Sequence, residues 1–172
     1  DDVALMRSEI DQELTELINL KIDDQLLNGT GLTVNLTGIT TNATAWAAGA
    51  FALSIQTPTK WDVLRTAINQ VRVNLFEPNY IVMHPTDVTA MELSKGSDGH
   101  YIIPPFAASD GTIVSGIRVV ANTGVTIDKF LVGDFTKSGV RFKEGLTINV
   151  GYENDDFTKN LVTILAEARL VQ

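Results

Sequence analysis

From Val3 to Leu27 the chain runs for about 25 residues without a single Pro or Gly. Apolar residues recur through it at Val3, Met6, Ile10, Leu14, Leu17, Ile18, Ile22 and Leu26, at spacings of three and four apart from the adjacent pair 17/18. That periodicity predicts one long helix, and at 1.5 Å per residue it spans roughly 37 Å. Asn28-Gly29 supplies the stop. Such a helix exceeds the depth of a compact domain of 172 residues. It is expected to lie across a surface or to act as a spine.

Charge follows the same element. Residues 1–28 hold eight acids and two bases, whereas residues 29–172 hold thirteen acids and eleven bases. The acids sit mostly in the first turns, as the helix dipole favours; Asp23 and Asp24 go against it. A net charge of −8 repels phosphate, and each useful phosphate contact needs a cation, so sequence-specific nucleic-acid binding is not expected. No stretch reaches 18 consecutive apolar residues, so no membrane span is expected. The chain has no Cys and two His, His84 and His100. Disulfides, thiolate nucleophiles and cysteine-ligated metals are therefore excluded, and neither a metal site nor a cofactor is expected.

Beyond Gly29 the pattern changes. Residues 29–56 carry few charges and many Gly, Thr, Asn and Ala, an irregular stretch with at most short strands. Thr57-Pro58 opens a second helix, with Thr57 as N-cap and Pro58 at its first position. Trp61, Leu64, Ile68, Val71 and Leu75 form its buried stripe, and Pro78 ends it. Residues 80–83 read as a strand, and His84-Pro85-Thr86-Asp87 caps a third helix ending near Ser94. From Tyr101 onward strands are expected at 101–103, 112–114, 117–121, 130–135, 140–143, 146–152 and 160–171, separated by Gly, Pro, Asn and Asp turns. In the last, Val162, Ile164, Ala166, Ala168 and Leu170 form a uniformly apolar face. The alternate positions include Glu167 and Arg169, a charged pair within the sheet or across an interface. Helices lead and strands follow, so the fold class is α+β.

Candidate chemistry is sparse. Gly29-Thr30-Gly31 follows a helix rather than a strand and is a stop signal, not a dinucleotide fingerprint. Glu153, Asp155 and Asp156 offer cation ligands, but a solvated turn explains them better. His84 and Asp87 offer a general base for a small hydrolase, a reading that requires a deep polar pocket around His84. Residues alone therefore favour a structural or interaction protein over an enzyme.

Six passages together resemble the major capsid proteins of tailed bacteriophages. They are Asp24 to Gly31 with Leu36-Thr37-Gly38-Ile39, then Tyr80 to Asp87, then Lys95 to Tyr101. They continue with Gly116 to Val120, Phe130 to Phe135, and Asp155 to Asn160 followed by Thr163 to Arg169. They occur in family order along the whole chain. Thr30 stands where the family usually has an acid, and Arg118 where it often has Pro.

The resemblance implies the phage major capsid fold: a long spine helix with a peripheral β-sheet, plus an axial α/β domain. On that basis residues 1–28 are the spine helix of the peripheral domain, 29–136 the axial domain and 137–172 the returning peripheral strands. The family's N-terminal arm and extended loop precede the spine helix, so this chain is expected to be a piece that lacks them. The implied function is a major capsid subunit. Made in the bacterial host cytoplasm, it self-associates into pentamers and hexamers of an icosahedral phage or prophage head enclosing DNA, with scaffolding and portal proteins as partners. An encapsulin-like nanocompartment shell shares the fold and is the alternative.

Two sets of site residues come with the resemblance. Pro104, Pro105, Phe106, Asp110 and Gly111 form the loop expected at the capsomer axis. Asn160 and Glu167 fall where some members carry an intersubunit crosslink, in which a lysine from a neighbour's extended loop bonds to the asparagine with the glutamate as base. A separation of seven puts the two on opposite faces of a regular strand, so a bulge is needed to bring them together.

Overall fold

A computed structural model describes residues 2–102 and 112–172, with side chains from residue 5 onward. The order of elements is α1 (Asp2–Asn28), α2 (Ile39–Asn42), a 3-10 turn (Gly49–Phe51), α3 (Lys60–Val73), β1 (Tyr80–Met83) and α4 (Pro85–Glu92). There follow β2 (Ile113–Val114), β3 (Ile117–Ala121), β4 (Phe130–Gly133), a second 3-10 turn (Phe135–Lys137), β5 (Arg141–Gly151), α5 (Asp156–Lys159) and β6 (Thr163–Val171). These elements form two compact units, one of Asp1–Thr41 with Gly139–Gln172, the other of Asn42–Ser138.

In the first unit α1 is the longest element at 27 residues. Its covered stripe is narrower than its apolar pattern: Leu14, Ile18, Ile22 and Leu26 are half-buried, while Met6, Ile10 and Leu17 are exposed. Leu5 and Leu20 are exposed as well, so apolar side chains project from more than one side of the helix.

The helix stops where the backbone folds back on itself. Gly29 N donates to Gln25 O at 2.9 Å, Gly38 N donates to Gly29 O at 2.8 Å, and Thr40 Oγ1 donates to Leu27 O at 2.6 Å. The approach is too close for a side chain. A Cβ on Gly29 would lie 2.1 Å from Leu36 O, and one on Gly38 would lie 2.4 Å from Gly29 N. These contacts tie residues 29–41 to the end of α1.

The rest of this unit is a two-stranded antiparallel ribbon, β5 with β6. The expected strands 140–143 and 146–152 are one continuous strand of 11 residues. Gly145 marks no turn. Instead the register against β6 shifts between Phe142 and Glu144 and again between Glu144 and Thr147; bulges of this kind absorb extra residues without ending a strand. Along β6 the alternation follows the sequence pattern, but Val162, expected on the covered face, precedes the strand and is exposed. Ile164, Ala166, Ala168 and Leu170 are half-covered and Leu165, Glu167 and Arg169 are exposed. This strand packs on α1.

The second unit is a four-stranded sheet in the order β2-β3-β1-β4. Strand β1 pairs parallel to β3 and antiparallel to β4. The parallel pair makes a single β-crossover-β connection through α4, where only a helices-then-strands order was expected. Helices α3 and α4 cover the sheet, and the core holds Leu64, Ile68, Ile81, Met83, Met91, Val114, Ile117 and Val119. Leu64, Ile68, Ile81 and Met91 are almost wholly buried, each contributing roughly 1.5–3 kcal/mol.

The start of α3 differs from the expectation. Its N-cap is Thr59, not Thr57, because Asp62 three residues on completes a capping box. Asp62 N donates to Thr59 Oγ1 and Thr59 N donates to Asp62 Oδ2. Pro58 precedes the cap rather than opening the helix. Its end is a Schellman-type turn: Leu75 N donates to Arg72 O at 2.9 Å and Phe76 N to Val71 O at 3.4 Å. Leu75 occupies the left-handed position of that turn, with φ 66°. It does not join the buried stripe expected of it and is 94% exposed.

Candidate functional site

The Asn160–Glu167 passage lies on the connector between β5 and β6. Asp156 organises it. Its Oδ2 accepts from Glu153 N at 2.9 Å and from Thr163 Oγ1 at 2.6 Å. The Thr163 hydroxyl, then the Glu153 N–H, hold the Asp156 carboxyl below the usual carboxylate range. Lys159 pairs with Asp155 at 2.5 Å, and the Tyr152 and Phe157 rings meet edge to face at 5.8 Å. The Asp155 and Asp156 carboxylates are thus committed to the turn itself, and among the described residues no cluster fit to hold a metal ion occurs.

Asn160 ends the short helix α5 in the left-handed conformation, φ 54° and ψ 41°. It therefore precedes β6 rather than belonging to it, and the opposite-face argument does not apply. Glu167 lies within β6, opposite Thr147 and beside one of the register shifts of β5. Both side chains are exposed. Arg169 pairs not with Glu167 but across the ribbon with Glu144, at 3.3 Å. The second expected site, Pro104, Pro105, Phe106, Asp110 and Gly111, lies outside the described residues.

His84 and Asp87 come together at the start of α4, and both are occupied structurally. His84 is the N-cap, its Nδ1 accepting from Thr86 N at 3.2 Å. Asp87, with a side chain 5% exposed, accepts from Lys60 Nζ at 2.9 Å and from Asp128 N at 2.7 Å. The Lys60 ammonium holds its carboxyl below the usual range, against the opposing effect of burial, with the Asp128 N–H assisting. Asp87 thus joins the first residue of α3, the first turn of α4 and the loop before β4. Sequence reasoning missed Lys60 because 27 residues separate it from Asp87. Only a charge at the exposed start of α3 hinted at it.

The largest feature is surface. Exposed apolar residues include Leu5, Leu17 and Leu20 on α1, Leu75 and Phe76 after α3, and Phe142, Val150, Leu165 and Val171 on the ribbon. The ribbon's two outer edges have no strand partner among the described residues. Among the described residues no helix is long and apolar enough to cross a membrane.

A helix bearing apolar residues on several sides, a bulged ribbon and a small mixed sheet with two covering helices make an α+β fold that leaves many large apolar side chains uncovered. Residues 1–170 match the family model described as the phage capsid family, and the chain belongs to that family. Its fold is accordingly the phage capsid fold. Among curated proteins it is 35% identical to the major capsid protein of Enterobacteria phage HK97 over 172 residues, which is 99% of this chain and 44% of the relative. The chain thus spans less than half the length of the curated relative it matches.

Proposed function

We propose that the chain is part of a major capsid protein, a subunit that self-associates into the pentamers and hexamers of an icosahedral phage or prophage head. The observation that carries this is the family match along nearly the whole chain. The surface supports it independently. Large apolar side chains stand exposed on α1 and on the ribbon, among them Leu5, Leu17, Leu20, Phe142, Val150 and Leu165, as contacts between subunits require. Heterologous contacts that close into rings turn such surfaces into a shell. The protein's work in the head is done by these surfaces. Neither the nanocompartment nor the hydrolase alternative gains support. Asp87 and the Nδ1 of His84 are already engaged, and the family match points to a phage head.

Three finer assignments belong to the same reading. The unit of α1 and the β5–β6 ribbon serves as the peripheral part of the subunit, and the sheet unit as the axial part. The 104–111 segment reaches the capsomer axis. Asn160 and Glu167 form the acceptor and base of an intersubunit isopeptide bond, in which a neutral lysine amine attacks the Asn160 amide carbon, a carboxylate takes the amine's proton and passes it to the amide nitrogen, and ammonia leaves. The left-handed turn leaves the Asn160 side chain exposed, as such an acceptor requires. Scaffolding and portal proteins are the expected partners. The product is a virion shell enclosing DNA, made in the host cytoplasm.

The test uses the complete protein expressed with its head-assembly partners. Sedimentation of closed particles supports the reading, and a soluble monomer under all assembly conditions contradicts it. Denaturing gels of mature particles then decide the crosslink: a covalent ladder abolished by Asn160→Ala or Glu167→Ala is expected, and a single monomer band removes that assignment.

A further inference from the structure

The turn after α3 presents an apolar side chain where backbone chemistry disfavours one. In a Schellman turn the left-handed residue is usually Gly, because a Cβ is strained there. Here it is Leu75, at φ 66°. Asn, which tolerates that conformation better, stands one position earlier as Asn74. Leu75 is 94% exposed, and its neighbours Val73 and Phe76 are 72% and 50% exposed. The Arg72–Glu77 ion pair at 2.5 Å neutralises the charges that flank it. Within the described chain the Leu75 side chain therefore bears backbone strain with almost no burial in return. Strain of this kind persists where function selects it.

We propose that Leu75, flanked by Val73 and Phe76, is a knob that inserts into a different surface of a second copy of this chain. The inference rests on the shell-subunit reading above. A second copy is the occupant because the chain belongs to the phage capsid family, and on the shell-subunit reading the surfaces that surround each subunit are those of its own copies. A charge-neutral apolar knob also gives no foothold to nucleic acid. A single projecting side chain complements a recess rather than its own twin, so the contact is heterologous, the kind that closes rings.

The experiment uses the complete protein. Leu75→Asn relieves the strain, so its melting temperature is expected to equal or exceed that of wild type. Its assembly, followed by light scattering, is expected to weaken roughly tenfold or more, whereas Leu75→Met retains assembly. A photoreactive leucine analogue at position 75, illuminated in assembled particles, is expected to give adducts on a peptide of this same chain in a neighbouring subunit. Adducts on any other protein, or no adducts, overturn the proposal, as does a Leu75→Asn protein that assembles like wild type. A lower melting temperature for Leu75→Asn also overturns it, because Leu75 would then be serving its own fold. If wild-type protein forms no rings or shells, the shell reading fails and this contact falls with it. If wild type assembles while position 75 is indifferent, only the contact fails.

Discussion

Asp87→Asn keeps the side-chain volume and removes the charge at the point where α3, α4 and the loop before β4 meet. The carboxylate accepts from Lys60 Nζ at 2.9 Å and from Asp128 N at 2.7 Å. An amide offers one acceptor oxygen, so its NH2 faces one of these two donors. Hydrogen bonds to charged groups contribute about 1.5–3 kcal/mol. Lys60 is about half exposed, which screens the ion pair, so the expected loss is about 2 kcal/mol for the pair of contacts. For a chain of this size that lowers the melting temperature by roughly 4–8 °C. Urea unfolding followed by Trp fluorescence is the assay, because Trp46 and Trp61 both lie in the same unit and donate to Thr66 Oγ1 and Ser94 Oγ there. A cycle with Lys60→Met isolates the pairwise part. The sign with pH follows from the folded carboxyl lying below its unfolded value. Its stabilisation is present above the unfolded pKa of about 3.9 and is lost as pH falls through the folded value. Wild type should thus lose its advantage over Asp87→Asn only in acid. A variant within about 0.5 kcal/mol of wild type at neutral pH, or a gap that widens on acidification, would refute the clamp.

Other perturbations test other parts of the fold. Gly38→Ala places a Cβ 2.4 Å from Gly29 N and 2.5 Å from Leu27 O, a backbone clash expected to destabilise by about 3 kcal/mol or more. Circular dichroism and thermal melting check it, and a wild-type melt would show that the turn has room. Ile68→Ala removes a side chain with no exposed surface and should cost about 2–5 kcal/mol in denaturant titration; less than 1 kcal/mol would mean that the core is loosely packed there. Thr163→Val deletes the hydroxyl that donates to Asp156, so amide exchange across residues 153–163 should accelerate while that of α3 is unchanged. Equal protection in both proteins would remove Asp156 as the organiser of the connector.

Local signals carried much of the fold. The Pro- and Gly-free apolar run predicts α1, His84-Pro85 predicts the start of α4, and strict alternation gives the covered face of β6. The errors have physical causes. Thr57-Pro58 imitates a cap, but the reciprocal Thr59–Asp62 bonds are the stronger device, and Asp62 three residues after Thr59 was visible in the sequence. Glu144-Gly145 resembles a turn, yet a strand paired on one side absorbs extra residues as register shifts. Leu75 fits the helical period but falls one residue beyond Asn74, where the helix has ended. Asn160 was assigned to a strand because the α5 turn is only four residues long. Contacts distant in sequence, such as Lys60 with Asp87 or Arg169 with Glu144, leave no local trace. For the candidate site, the positions of Asn160 and Glu167 came from family resemblance, whereas the Asp156 network that shapes the turn emerged only from the structure.

The central claim is that this chain builds a shell by its surfaces. Cryo-electron microscopy of particles assembled from the complete protein tests it most directly. The account predicts closed icosahedral shells of pentamers and hexamers, each subunit containing the long α1 helix, the bulged β5–β6 ribbon and the four-stranded sheet, with the exposed apolar residues of α1 and the ribbon covered by neighbouring chain. Monomers or irregular aggregates, or shells in which those residues still face solvent, would contradict it.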